Sequence, residues 1–371
     1  MVRETHLSPL RVLALVPYAL GAAPSQRYRL EQWAPALAER GIALEFSPFA
    51  DPTLTALLQM PGHVLRKAWL IVAASARRAR EIRALPEHDA VVVHRAACLA
   101  GPPWVEERVR AQGRPFLFDF DDAIFRLHAA AANRPFAWLK APGKTATLCR
   151  LSDHVVVGNE FLAAFARGLN DHVTIVPSSI DTERCRPVSR PRNPRVVVGW
   201  MGSSTSQTYL EAAAPTLRAV LAARPVELRV VSDRPPALPG VEHTWRSWSA
   251  ETETQELGGF DVGIMPMPDD DWARGKCALK ALQYMAMGVS TVASAVGTNR
   301  EVIEHGRNGF LAVTTQDWVE CIARLADNGD LRRDLGGAGR RTVEERYSMR
   351  KSAESFERVV REAVGRRQGM A

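Results

Sequence analysis

Along the chain, short β-branched apolar runs alternate with longer stretches whose apolar positions recur at helical spacing. Buried strands are predicted at Arg11–Val16, Ala43–Phe46, Ala90–His94, Pro115–Asp119, His154–Val157 and Val173–Val176. Most of the intervals between them read as helices. Tyr28–Arg40, for one, places Leu30, Trp33, Ala34 and Leu37 on a single face. The rhythm breaks at Asp181–Pro194, where Pro187, Pro191 and Pro194 stand among arginines and predict a linker. It restarts with strands at Arg195–Trp200, Val226–Ser232, Asp261–Met265, Ser290–Ser294 and Gly309–Val313. Helices are expected at Gln207–Ala223, Cys277–Met287, Asp317–Asp327, Leu331–Tyr347 and Lys351–Val364. Regular β-α alternation means parallel sheets covered by helices on both faces. The prediction is an α/β protein of two doubly wound, Rossmann-like domains facing a central cleft, with domains at 1–185 and 186–345. The last helix, within 346–371, is expected to pack back on the first domain.

Composition narrows the picture. The 371 residues are 46% hydrophobic and 24% charged, as in a folded chain with sizeable cores. No apolar run is long enough to span a bilayer, and the start lacks a cleavable signal pattern. Cys98, Cys149, Cys185, Cys277 and Cys321 form no CxxC pair, which argues against a zinc site or a disulfide framework. The expected location is cytoplasmic, extending to the inner face of the membrane. A net charge of +7 suits an anionic partner, but no interleaved aromatic and basic platform points to nucleic acid.

The most informative chemistry lies in Asp261–Glu304. A strand there leads into a loop with Asp269, Asp270, Asp271 and Trp272, followed by Arg274, Gly275 and Lys276. A helix starting at Cys277 would put Lys276 and Lys280 on one face, beside the free N–H groups of its first turn. Three cations at such a place suit a diphosphate. The alternative is a solvated basic helix start. The aspartates either grip sugar hydroxyls or cap the helix.

KALQYMAMGVSTVAS, followed by VGTNREVIEHGRNGFL, resembles the donor-binding core of the GT-B glycosyltransferases of the retaining family 4 type. SDHVVVGNEFLAAFA and VTIVPSSIDTERCRP resemble the end of that family's first domain, so the resemblance spans nearly the whole chain. It implies a GT-B fold and sugar transfer from a nucleoside-diphosphate sugar with retention of configuration. No cofactor and no metal are expected. Two departures stand out. The family's E-x7-E pair is here Gly275 and Gln283, and an amide can still bond a ribose hydroxyl. The glycine turn Gly202-Ser203-Ser204-Thr205 carries no cation, which moves the diphosphate role to Arg274, Lys276 and Lys280. Backbone amides of the turn remain available. The donor-side set is Gly202, Ser203, Ser204, Ser232, Asp271, Cys277, Gln283, Asn299 and Glu301.

In the first half, Asp119, Asp121 and Asp122 gather at the end of PFLFDFDD. They either serve the acceptor, with Asp121 acting on its attacking hydroxyl and Asp122 binding it, or form a turn and cap. His94 is a further acceptor candidate or a structural histidine. Arg27 and Arg29 either meet acceptor anions or sit on a solvated helix start. His63–Leu85 is apolar yet carries Trp69 with Arg66, Lys67, Arg77, Arg78, Arg80 and Arg83. It suits an anionic membrane surface and a lipid-linked acceptor, or else a core-facing helix with a basic outer face. Two other readings of the whole chain are a nucleotide-sugar epimerase and a non-catalytic sugar-nucleotide-binding subunit.

Overall fold

A computed structural model describes residues 9–60, 62–126, 143–188 and 194–369. They form two compact units, Met1–Ser178 with Met349–Ala371, and Ser179–Ser348.

The first unit is built on a six-stranded parallel sheet. Its strands are β1 (Leu10–Val16), β2 (Ile42–Pro48), β3 (Ala90–His94), β4 (Phe116–Phe120), β5 (His154–Val157) and β6 (Val173–Ile175), ordered β2-β1-β3-β4-β5-β6. Central strands are mostly apolar because helices cover both faces; every residue of β3 and β4 is buried, including the polar His94 and Asp119 near their carboxyl ends. The Met349–Gln368 helix belongs to this unit. Phe356 and Val360 join Trp33 and Leu37 in one core, with the Trp33 and Phe356 rings 5.4 Å apart. The helix predicted at Tyr28–Arg40 begins earlier, at Pro24, and continues through a π-helical segment, Arg27–Glu31, to Ala38.

The second unit carries another parallel six-stranded sheet. Its strands are β7 (Val197–Met201), β8 (Glu227–Ser232), β9 (Thr244–Ser247), β10 (Val262–Met265), β11 (Ser290–Ser294) and β12 (Phe310–Ala312), in the order β12-β11-β10-β7-β8-β9. β9 has no counterpart among the predicted strands. It is an edge strand with all four residues exposed, so no apolar pattern marks it. The predicted helix Gln207–Ala223 is two helices, Ser204–Ala212 and Ala214–Ala223. Pro215 lies in the first turn of the second, where a missing N–H costs nothing.

The expected linker is partly structured. Ile180 bridges to Ser348, and Arg340 donates to the carbonyls of Thr182 and Cys185. Those bonds put 179–185 in the second unit, so the division falls at Ser178 rather than after Cys185. Residues 189–193 of the linker lie outside the described ones. All five cysteines are buried free thiols.

Candidate functional site

An open parallel sheet binds ligands beyond the carboxyl ends of its strands, where the strand order reverses. In the second unit that switch point lies between β7 and β10. β7 runs into Gly202-Ser203-Ser204, and β10 runs into the Pro266–Lys276 loop. In the first unit the switch point lies between β1 and β3, whose exits lead to Ser25 and His94. Sequence and topology thus nominate the same edges.

Gly202 and Lys280 meet at the β7 exit. A Cβ on Gly202 would sit 2.6 Å from Lys280 Cε and 2.7 Å from both Ser206 Oγ and Trp200 Cη2. Only glycine leaves room for the lysine to cross this turn. The Lys280 ammonium then stands 5.5 Å from the Trp200 ring centroid, close enough for a cation–π contact. A positive charge thus stands beside the glycine turn, which carries none of its own.

The rest of the predicted cation cluster is arranged differently. The helix starts at Leu279, not Cys277, because Ala278 adopts a left-handed conformation with φ 52°. Lys276 consequently lies outside the helix and does not share a face with Lys280. It stacks 5.3 Å from the Trp272 ring centroid. Arg274 ends a separate one-turn helix, Asp271–Arg274, and its Nε donates to Asp269 at 2.7 Å. That pairing half-neutralises a guanidinium that is 46% exposed. Asp270 caps the same short helix by accepting from the Ala273 N–H at 2.7 Å, and Asp271 is its first residue. Gly297 closes the loop from the other side. Its φ is +50°, and a Cβ there would lie 2.9 Å from the Arg274 backbone.

Several donor-side candidates are occupied by structural work. Ser232 is buried, donates to the Arg234 carbonyl and accepts from Trp245 Nε1, so it fastens a turn rather than facing a ligand. Cys277 is buried, with Sγ 3.9 Å from the Gly275 carbonyl. Ser203 precedes the Ser204–Ala212 helix, and the Ser204 N–H already donates to Asp233 Oδ1 at 2.6 Å. Asn299 is buried, and its Nδ2 donates to the Ser294 carbonyl. Its Oδ1 meets no donor among the described residues. Glu301 is exposed on the short Asn299–Val302 helix. Gln283 is buried and donates from Nε2 to Glu253 Oε1 at 3.4 Å, an oxygen that Trp248 Nε1 also approaches at 3.4 Å. Glu253 is thus a carboxylate beside Gln283 that sequence reasoning missed. It opens the short Glu253–Gly258 helix, which carries no motif.

In the first unit a chain of charges crosses the β3 and β4 exits. Arg29 is fully buried and donates to Asp119 from Nε at 3.0 Å and from Nη2 at 2.5 Å. Asp119 faces His94 Nδ1 at 2.6 Å, and His94 Nε2 faces Ser25 Oγ at 2.8 Å. The Ser25 hydroxyl also donates to Asp121 at 2.6 Å. Arg95, with φ +60°, turns its guanidinium onto both Asp121 and Asp122. Burial acts to raise the carboxyls of Asp119 and Asp121, but the charges and hydrogen bonds that face them outweigh it. Arg29 and His94 hold Asp119 below the usual carboxylate range, and Arg95, His94 and Arg29 do the same for Asp121. Asp121 is thus an ion-paired carboxylate held by Arg95 and Ser25. Arg29 is likewise ion-paired, to Asp119. Arg27 is half-buried, with its Nη2 donating to the Tyr28 hydroxyl at 3.2 Å and its guanidinium 4.6 Å from the Tyr28 ring centroid. Ser25 was missed because an isolated serine after a proline carries no motif.

A pocket of about 610 Å³ opens beside β2, lined among others by Ala19, Leu20, Phe46, Pro48 and Arg77. None of the nominated residues lines it. It is mostly apolar, and the charged network at the β3 and β4 exits is the better chemical candidate.

Comparison with known proteins matches residues 195–328 to the family model described as glycosyl transferases group 1. No curated protein matches the chain by sequence. Among solved structures, sucrose-phosphate synthase from Thermosynechococcus elongatus is similar with a TM-score of 0.70 and 16% identity, over 95% of this chain and 98% of that one. A glycosyltransferase from Rickettsia africae gives 0.68 and 13%, over 96% and 99%. HepE from Anabaena, solved with UDP-glucose, gives 0.64 and 14%, over 95% and 100%. The chain has the GT-B fold, and residues 195–328 of its second unit are similar to the glycosyl transferases group 1 family.

Proposed function

We propose that the chain transfers a sugar from a nucleoside-diphosphate donor to a hydroxyl of a sugar-bearing or lipid-linked acceptor, with retention of anomeric configuration. The observation that carries this reading is Lys280 seated against Gly202 at the β7–β10 switch point of a group 1 domain. In the reaction the bond from the anomeric carbon to the diphosphate oxygen breaks, and a bond from that carbon to the acceptor oxygen forms. Negative charge grows on the departing diphosphate. Lys280 stands beside the Gly202 turn before the reaction begins, and preorganised charge of this kind is where electrostatic catalysis is strongest; the flanking Gly202 and Ser204 amides are already taken by the Val231 carbonyl and Asp233. Lys276 and Arg274 add weaker, more exposed charge. Gln283 and Glu253 suit the ribose hydroxyls, one offering a donor and both an acceptor. The acceptor proton leaves with the diphosphate, since Asp121 is held as an ion-paired carboxylate. No metal takes part in this scheme, so chelation should leave turnover unchanged.

UDP-glucose is the first probe, because HepE was solved with it. A donor that binds the native state raises the melting temperature, and about 100 Kd of ligand adds about 2.7 kcal/mol. Lys280→Ala should lose most of that shift and lower UDP release at least tenfold, with Lys280→Arg recovering part of both. An unchanged shift in Lys280→Ala with every donor tried would sink the phosphate assignment. A second reading is a sugar-nucleotide-binding subunit without turnover. It is favoured by Asp233, which already takes the Ser204 N–H. Donor binding with no UDP release under any acceptor would select it.

A further inference from the structure

The Val64–Glu81 helix of the first unit is inverted relative to an ordinary surface helix. Its fully buried positions are Ala74 and Arg78, whereas Leu65 is 88% exposed, Trp69 68% and Val72 67%. Leu65, Trp69, Val72 and Ala76 follow one another at helical spacing, so they form a single outward stripe. Val64, which opens the helix, and Met60, which ends the preceding Pro52–Gln59 helix as its C-cap, are also each more than half exposed. Five of the nine large exposed apolar side chains among the described residues therefore lie within thirteen positions of sequence. A contiguous patch of this kind marks an interaction surface, unlike single exposed apolar residues.

The charges beside the stripe choose the partner. No Asp or Glu occurs between Asp51 and Glu81. The basic residues of the segment divide into two sets. Arg78 is buried and donates to the carbonyls of Ala97 and Ser47, and Arg77 donates to those of Pro48 and Phe49. Lys67 is bound to the Met60 carbonyl. Arg66, Arg80 and Arg83 are exposed, one near the start of the stripe and two at its end. A row of apolar side chains with an outward tryptophan, bounded by arginines and free of acid, fits the headgroup region of an anionic bilayer. A protein groove would need no such one-sided charge. The helix does not cross the membrane, as no helix among the described residues is long and apolar enough to do so.

We propose that this helix lies flat on an anionic lipid surface, with Leu65, Trp69 and Val72 among the acyl chains and Arg66, Arg80 and Arg83 at the phosphates. The inference is independent of sugar transfer.

The test is co-sedimentation of the full chain with phosphatidylcholine vesicles, with and without added phosphatidylglycerol. Wild type should bind only the anionic vesicles, and more weakly as salt is raised. Leu65→Glu with Trp69→Glu should reduce binding by roughly tenfold or more, because two apolar anchors become anions. Arg66→Gln with Arg80→Gln and Arg83→Gln should cost roughly fivefold per arginine. All five positions are exposed, so unchanged melting curves are expected for both variants. The tryptophan emission should shift to the blue on vesicle binding and lose that shift in Trp69→Phe. Equal binding to neutral vesicles, no binding to either, or full binding by both variants would overturn the proposal. So would a wild-type dimer dispersed by the glutamate variant without any vesicle binding, since the stripe would then belong to a second copy.

Discussion

Lys280 and Asp119 show how a single side chain acquires its role from what surrounds it. Lysine at position 280 is one of many basic residues in the sequence, yet the missing side chain of Gly202 lets it reach the β7 exit. Asp119 looks like its neighbours Asp121 and Asp122, but it alone is shared by a fully buried arginine and a fully buried histidine. Removing one partner of a buried charge pair leaves the other uncompensated, at about 3–5 kcal/mol. Asp119→Asn should therefore destabilise the first unit on that scale in urea unfolding. Ser25→Ala removes the hydroxyl that joins Asp121 to His94 and should cost about 1–3 kcal/mol. Equal and small effects for both would show that the network is not a buried ion-pair system. The acidic cluster itself was legible in FDFDD. Its compensation by Arg29 and Arg95 was not, because the pairs are distant in sequence or depend on the left-handed backbone of Arg95.

At the scale of elements, strand prediction succeeded where burial is complete and failed where it is absent. β3 and β4 are buried at every residue and read as apolar runs broken only near their carboxyl ends by His94 and Asp119, whereas β9 is exposed at every residue and left no pattern. Helix ends were set by backbone conformations that residue type does not announce, such as the positive φ of Ala278. β5 carries a pH sensor of stability. Arg366 donates to His154 Nδ1 at 3.0 Å, so the neutral ring keeps its proton on Nε2, 2.8 Å from Thr174 Oγ1. Burial, with help from Arg366 and His172, pushes His154 down to about 4. Its pKa in the unfolded chain is about 6.5. Between those values the unfolded chain binds a proton that the folded chain refuses. The stabilising contribution is thus complete above pH ~6.5 and lost as the pH falls toward 4, by at most about 1.4 kcal/mol per pH unit. Urea midpoints should decline across this window, and His154→Gln should flatten the decline. A wild-type profile that is flat from neutrality to pH 4 would contradict the assignment.

For the whole molecule, the first unit is discontinuous: its core needs the Met349–Gln368 helix from the far end of the chain. Phe356 is wholly buried among Trp33, Leu37 and Val360, whereas the second unit has its own cluster around Trp200, Val230 and Ile264. Phe356→Ala should cost the first unit about 3–5 kcal/mol. Hydrogen exchange should quicken in β1 and β3 and stay unchanged in β7 and β10; equal quickening in both sheets would refute separate cores. The sequence by itself determined the two β-α rhythms, nearly all the strands and the loops that end at each switch point. These follow from local periodicity, since a strand buried on both faces must be apolar and a sharp turn needs glycine. Only the tertiary structure decided which charges stay available. Burial and pairing give Arg29, Asp121 and Ser232 partners within the fold, bring Glu253 beside Gln283, and turn Trp69 outward while Arg78 goes in. Those outcomes depend on contacts between residues far apart in the chain, which no local pattern encodes.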